Sequence, residues 1–176
     1  MTSTTSAERV TGAEVRRRLA EAGHRLPVAW KLPERIAIPS SLIRVIDNEV
    51  FVSGHVPIDA DGEVDEVSGR VGAEVDLAGA QQAAIKTLLG ILADLEREIG
   101  DLGRIRAWRR LYCMASATPE FTDFPGVFNP ASQLLVTAFG REIGTHARVA
   151  IGVAGLPWNK PVEIEAQLVL HAQSAE

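Results

Sequence analysis

The sequence predicts an α+β protein in which a mixed sheet of about five strands carries two long helices on one face. Two observations predict this fold class. Apolar residues recur at helical spacing in two long segments, and shorter segments alternate apolar and polar residues as strands do. The 176 residues suit a single domain. We expect that domain to span residues 11–174, after a flexible polar segment over residues 1–10.

Three helices are predicted, one short and two long, and each has a recognisable start and end. Thr11 and Glu14 fit a capping box at the start of a short first helix, and Gly23 supplies its end. Asp76 is the expected N-cap residue of the first long helix, which Gly100 ends. An apolar stripe along this helix predicts that it packs on the sheet.

The second long helix is predicted over Pro130–Phe139. Asn129 would be its N-cap residue and Pro130 its first residue, where the missing N–H of proline costs no hydrogen bond. Gly140 follows the predicted end, a position at which glycine is common.

Five segments have the alternation of strands, and a tight turn at Asp47-Asn48 joins the first two. They are Leu42–Ile46, Glu49–Ser53, Arg106–Ala115, His146–Val153 and Val162–Leu170. We interpret the last two as neighbours in the sheet. Their alternation assigns Arg148, Ala150, Gly152 and Glu163 to the face opposite the helices. Small residues beside charged ones on that face indicate a subunit interface.

Composition narrows the classes of function. The net charge is −5, whereas a nucleic-acid-binding protein needs clustered Lys and Arg, so no nucleic-acid partner is predicted. A single cysteine, Cys113, excludes an internal disulfide. No signal peptide or membrane span is recognisable, so we expect a cytoplasmic protein that does not associate with membranes. The four histidines lie far apart and nucleotide-binding motifs are absent; neither a metal nor a cofactor is predicted.

Arg148 and Glu163 form the candidate functional pair. The planar guanidinium of an arginine can hold a carboxylate through two hydrogen bonds, and a glutamate can orient a water molecule or carry a proton. From the spacing alone, a salt bridge between two strands is the favoured interpretation.

A series of motifs resembles the RidA/YjgF family over roughly residues 30–170. The motifs are Phe51–Asp59 with Asp61–Val64, Thr145–Ala150, Leu156-Pro157 and Val162–Ala166. Two further segments, Phe121–Phe124 and Val127–Leu135, are similar to the longer, chorismate-mutase-like branch of that family. Each motif is weak alone, but their order and spacing together are specific.

The resemblance implies a homotrimer whose sheets form a central barrel, with pockets between subunits. It also implies hydrolysis of reactive enamines or imines that carry a carboxylate, such as 2-aminoacrylate, to 2-oxo acids and ammonia. Arg148 would grip the substrate carboxylate, Glu163 would position water, and Gly54 and Ala150 would line the pocket. Asn129 would either line the pocket or only cap its helix, and the cap is the favoured interpretation.

The sequence departs from the family at several pocket positions. The family's Pro-Tyr-Ser stretch corresponds to Pro39-Ser40-Ser41, so its tyrosine has no counterpart. Val149 and Ala150 replace Ser and Cys, and His55 stands where Gln or Asn is usual. A substrate other than 2-aminoacrylate is therefore expected.

Two functions remain open at this stage. The leading one is the imine deaminase; the alternative is a binding or regulatory module that senses 2-oxo acids without turnover. Chorismate-mutase-like chemistry would need several cations around a dianion, and only Arg148 is placed for it. Endoribonuclease activity has no support from the net charge.

Overall fold

A computed structural model of the chain describes residues 9–28, 30–32 and 38–172. The predicted flexible segment 1–10 and residues 173–174 of the predicted domain therefore fall largely outside the described residues. The helices and strands are, in chain order, α1 (Gly12–Glu21), β1 (Ile43–Ile46), β2 (Glu49–His55), α2 (Leu77–Ile99), β3 (Ile105–Ser116), α3 (Phe124–Gly144), β4 (Ala147–Val153) and β5 (Val162–Leu170). No helix in the described part of the chain has the length and apolarity that crossing a bilayer requires.

The five strands form one sheet in the order β1-β2-β5-β3-β4. All neighbouring pairs are antiparallel except β3 and β4, which are parallel because α3 provides the crossover between them. The mixed sheet with its helices confirms the predicted fold class. All five predicted strands are present, and their bounds agree with the prediction to within one or two residues.

The core lies between one face of the sheet and the two long helices. The five residues of β5 that point to this face are fully buried: Val162, Ile164, Ala166, Leu168 and Leu170. The apolar stripe of α2 packs on them, as its sequence predicts. Two predicted caps are confirmed: the Thr11 hydroxyl accepts a hydrogen bond from the backbone N–H of Glu14, and the Asp76 carboxylate accepts one from Gly79.

The prediction for the second long helix was wrong at its start. Helix α3 begins at Phe124, six residues earlier than predicted, and Asp123 is its N-cap residue. Asn129 therefore lies within the helix and does not cap it. The predicted end at Gly140 is a local break, since that residue has a φ of 79° while the helix continues to Gly144.

Pro130 is tolerated inside α3 because a side chain replaces the bond it cannot make. Its missing N–H would have bonded to the carbonyl of Gly126, four residues earlier. The amide Nε2 of Gln81, on α2, donates to that carbonyl instead, at 2.9 Å. The Asn-Pro pair thus has the sequence of a helix start but lies in the middle of a helix.

The predicted arrangement of the last two strands was also wrong. Strand β3 lies between β4 and β5, so these two are not neighbours. Leu111 of β3 pairs with Arg148 on one side and with the buried Ala166 on the other, and paired residues share a sheet face. Arg148, and with it Ala150 and Gly152, therefore lies on the helix-covered face.

Glu163 lies on the opposite face, as predicted. Its partner in β3 is Met114, which in turn pairs with Ile151 of β4. This helix-free face carries partly exposed apolar side chains, Tyr112, Met114, Val149 and Ile151. The alternation in β4 was thus assigned to the wrong faces, because its apolar residues were expected to pack under the helices. At this sheet edge they instead point to the uncovered side.

Candidate functional site

Arg148 lies in an open cleft of about 710 Å³ between α3 and β4. Its Nη1 donates to the hydroxyl of Ser132 and its Nη2 to the side-chain oxygen of Asn129, each at 2.9 Å. Both partners lie on α3, three residues apart and therefore on the same side of the helix. The early start of α3 thus makes Asn129 a pocket residue, which the favoured sequence interpretation had rejected.

The guanidinium of Arg148 is held by neutral oxygens only. Within the described residues, no carboxylate lies within ion-pair distance of it. A half-buried cation that is oriented but not neutralised is a suitable binding group for an anionic ligand.

His146 completes this arrangement through Ser132. Its Nδ1 faces the carbonyl of Gly144 at 2.8 Å and must donate to it, so Nε2 accepts from the Ser132 hydroxyl at 3.0 Å. Burial lowers the pKa of His146, and the charge of Arg148 lowers it further, against the hydrogen bond to Gly144. The imidazole is therefore neutral at neutral pH, which lets Ser132 donate to it while accepting from Arg148.

The remaining predicted pocket residue on this strand, Ala150, is partly buried and packs against the main core. Two residues further on, Gly152 lies under α3: a Cβ there would come within 2.5 Å of the ring of Phe124. Both small residues therefore lie on the helix-covered face, which corrects the prediction that they lie opposite the helices.

Glu163 and Gly54 meet on the other face of the sheet. A Cβ on Gly54 would overlap Oε1 of Glu163 and lie 2.8 Å from its Cδ, so only glycine leaves room for this carboxylate. Burial raises the pKa of Glu163, the charge of His55 lowers it, and the charge of Glu165 raises it. Within the described residues, no cation is within ion-pair distance of this carboxylate.

The structure therefore contains two separate groups of site residues. We call Asn129, Ser132, His146 and Arg148 the Arg148 half-site, and Gly54 with Glu163 the Glu163 half-site. Two strand spacings and three residues of register separate Arg148 from Glu163, which puts their Cα atoms roughly 14 Å apart. They also lie on opposite faces of the sheet. The salt bridge favoured from spacing alone is therefore absent.

Two polar residues near these half-sites were not predicted from the sequence. Ser132 had a signal, since it follows Asn129 by three residues on a helix. Asp94 had another: it is a carboxylate in the apolar stripe of α2, and its side chain is only 2% exposed in the structure. Cys113 is buried as predicted, and burial raises the pKa of its thiol to about 12, so it is not a nucleophile.

The chain is similar to individual proteins of known sequence and structure, although no protein-family model matches it. It is 32% identical over 143 residues to Protein TCP17 from Trypanosoma cruzi, a match that covers 80% of this chain and 88% of that protein. The crystal structure of Atu1372 from Agrobacterium tumefaciens, a protein of unknown function, is 36% identical with a TM-score of 0.81 and covers 91% of this chain and 94% of its own.

Two further solved structures connect the chain to a named fold. A candidate endoribonuclease from Shewanella oneidensis MR-1 is 25% identical with a TM-score of 0.78 and covers 89% of this chain and 99% of its own. The YjgF gene product of Escherichia coli, at 21% identity and a TM-score of 0.55, shares the fold over 81% of this chain and 97% of its own. The chain belongs to the RidA/YjgF family, as the motifs predict.

Proposed function

We propose that the protein is a hydrolytic deaminase of enamines or imines that carry a carboxylate. An enamine first becomes the imine by moving a proton from nitrogen to its terminal carbon. Water then adds to the carbon of the C=N bond, the nitrogen leaves as ammonia, and a 2-oxo acid remains. The observation that carries this proposal is the oriented, unneutralised guanidinium of Arg148. It supports the binding of a small anion.

In this proposal Arg148 binds the substrate carboxylate. Its two hydrogen bonds to Ser132 and Asn129 fix the plane of the guanidinium while leaving its charge available. Fixing the plane of the fork before the ligand arrives reduces the entropy lost on binding. A member of the same fold class, TdcF from Escherichia coli, has been crystallised with bound serine, a small molecule that also carries a carboxylate.

Glu163 supplies the proton chemistry in this proposal. Burial raises its pKa, and a carboxylate with a raised pKa is a stronger base. It accepts a proton from the attacking water and can return that proton to the leaving nitrogen. Its negative charge also favours a cationic iminium in front of it.

One copy of the chain cannot bring the two half-sites into contact, so the pocket needs a second copy. We propose a homotrimer, near three times 18.9 kDa, in which Arg148 of one subunit faces Glu163 of the next. The uncovered apolar side chains on the helix-free face support such an assembly, because exposed apolar patches commonly mark interfaces. A monomer in light scattering at micromolar concentration would contradict it.

A binding module without turnover is the second candidate. It is favoured by the fact that the Arg148 half-site is complete within one chain, whereas the Glu163 half-site lies elsewhere. The two functions differ in whether the protein releases ammonia from an imine. An assay that generates imines from amino acids with varied side chains, and reads released ammonia or free 2-oxo acid, should show turnover for the deaminase. A sensor would bind 2-oxo acids and release no ammonia from any imine.

A further inference from the structure

A buried histidine lies directly behind the Glu163 half-site. His55 is the last residue of β2, follows Gly54, and pairs with Ile164 of β5, the neighbour of Glu163. Its side chain is only 1% exposed. It points to the helix-covered face and therefore lies on the far side of the sheet from the Glu163 carboxylate.

Both ring nitrogens of His55 face hydrogen-bond acceptors. Nδ1 lies 2.6 Å from the carbonyl oxygen of Ser53, which can only accept, so Nδ1 carries a proton. Nε2 lies 3.0 Å from Oδ2 of Asp94, a carboxylate on α2 that is 2% exposed. The ring and the carboxylate therefore share one further proton, which belongs to either His55 or Asp94.

Arg97 decides where that proton resides. It is one turn along α2 from Asp94 and forms an ion pair with its Oδ1. A guanidinium paired with a carboxylate favours its charged form, so the hydrogen-bond geometry points to Nε2 of His55 as the atom that holds the shared proton. The three side chains together then carry one net positive charge, which is partly shielded from water by burial. The ring of Trp30, with its centroid 5.4 Å from that of His55, covers the imidazolium on one side.

We infer that His55, held by Asp94, is a positioning residue of the Glu163 half-site: its buried imidazolium keeps the Glu163 carboxylate in the anionic form. The inference rests on the proposed function for its chemical meaning, because a carboxylate must be ionised to accept a proton from water. It explains why a histidine occupies position 55, where Gln or Asn is usual in the family.

The charges around these two groups agree with this role. Burial raises the pKa of Glu163 and the charge of Glu165, on the same face of β5, raises it too; the charge of His55 opposes both. On the other side of the sheet, Asp94 of α2 faces His55 and is itself paired with Arg97. A positive charge behind a half-buried carboxylate that has a like charge beside it favours the ionised form of that carboxylate.

The test is the titration of Glu163 in His55→Gln, which needs no substrate. The side-chain carboxyl of Glu163 is followed by carbon-13 NMR and assigned by its absence in Glu163→Gln. We expect the midpoint to move to higher pH in His55→Gln and in Asp94→Asn, and to stay unchanged in His24→Gln, a remote histidine control. An unchanged midpoint in folded His55→Gln would overturn the inference.

A measurement on the unmodified protein tests the protonation of His55 even if both variants fail to fold. Nitrogen-15 NMR of the His55 ring should show both nitrogens protonated at neutral pH. A ring with one protonated nitrogen would overturn the inference. If Glu163 responds to His55 but the protein releases no ammonia from any imine, the proposed function fails and the inference stands. If ammonia is released, the acid limb of the kcat/KM profile should move to higher pH in His55→Gln.

Discussion

The two half-sites stabilise opposite charges in opposite ways. The guanidinium of Arg148 lies in an open cleft and is oriented by two neutral oxygens of α3. The carboxylate of Glu163 lies in a gap that exists only because residue 54 is a glycine, and it has lost part of its contact with water. Hydrogen bonds thus position the cation, whereas exclusion of water tunes the anion. Substitutions at Arg148 should therefore affect binding, and substitutions at Glu163 should affect the rate.

The largest effect is expected from Glu163→Gln. The amide keeps the shape of the side chain but cannot accept a proton from water, so turnover of an imine substrate should fall by about 10²–10⁴-fold. Affinity for a 2-oxo acid should change little, because in the proposed function Arg148 makes the carboxylate contact. Glu120→Gln, an exposed carboxylate outside both half-sites, is the matched control and should retain activity. Equal losses in both variants, or dissociation of the assembly, would assign Glu163 a structural role.

Gly54→Ala should reach the same half-site indirectly. The new Cβ would overlap Oε1 of Glu163, which is the free end of a flexible side chain, so the carboxylate moves and the fold survives. A displacement on the order of 1 Å should lower turnover by about 10²-fold. Gly155→Ala, where a Cβ meets no atom within 4 Å, is the control for the general cost of replacing a glycine. Full activity in Gly54→Ala would show that the position of Glu163 is unimportant.

Arg148→Lys tests the other half-site. Lysine keeps the charge but loses the planar fork that Ser132 and Asn129 orient, so binding of a small 2-oxo acid should weaken by about 1.5–3 kcal/mol. Calorimetric titration of wild type and variant measures the difference directly. Arg109→Lys, an exposed arginine that pairs with Glu49, should bind as wild type does. Unchanged binding in Arg148→Lys would make Arg148 a packing residue of the cleft.

The smallest effect concerns pH. The pKa of His146 is lowered in the folded protein, so the unfolded chain binds its proton more readily. The stability contributed by the neutral ring is therefore present above the ordinary histidine pKa of about 6.5 and is lost as pH falls toward the folded-state value. Urea unfolding at pH 7.5 and pH 5.5 should show a larger loss of stability in wild type than in His146→Gln. Equal losses would mean that the hydrogen bond between His146 and Ser132 does not contribute to stability.

The sequence predicted the parts of the fold that depend on local chemistry. The caps at Thr11 and Asp76 were predicted correctly because a cap depends only on residues in the first turn of its own helix. Asn129 was misassigned because the rescue of Pro130 depends on Gln81, a residue that is distant in sequence.

The sequence predicted which residues form the candidate site but not how they are arranged on the sheet. Arg148 and Glu163 were selected by chemical type, and Gly54 by the family motif. Their faces and separation depend on which strands are neighbours, and a parallel β4 beyond β3 is not visible in the alternation of a single strand. The contact between His55 and Asp94 likewise joins residues 39 positions apart, on a strand and a helix that only the tertiary fold brings together.

Mixing two inactive variants tests the central claim, that Arg148 of one subunit works with Glu163 of another. Arg148→Gln retains a wild-type Glu163 half-site, and Glu163→Gln retains a wild-type Arg148 half-site. In trimers formed at random from equal amounts, about a quarter of the pockets should combine two wild-type halves. We expect ammonia release, which is very low in each variant alone, to return to about a quarter of the wild-type rate. Mixed trimers that form, as seen by native mass spectrometry, but release no ammonia would contradict it.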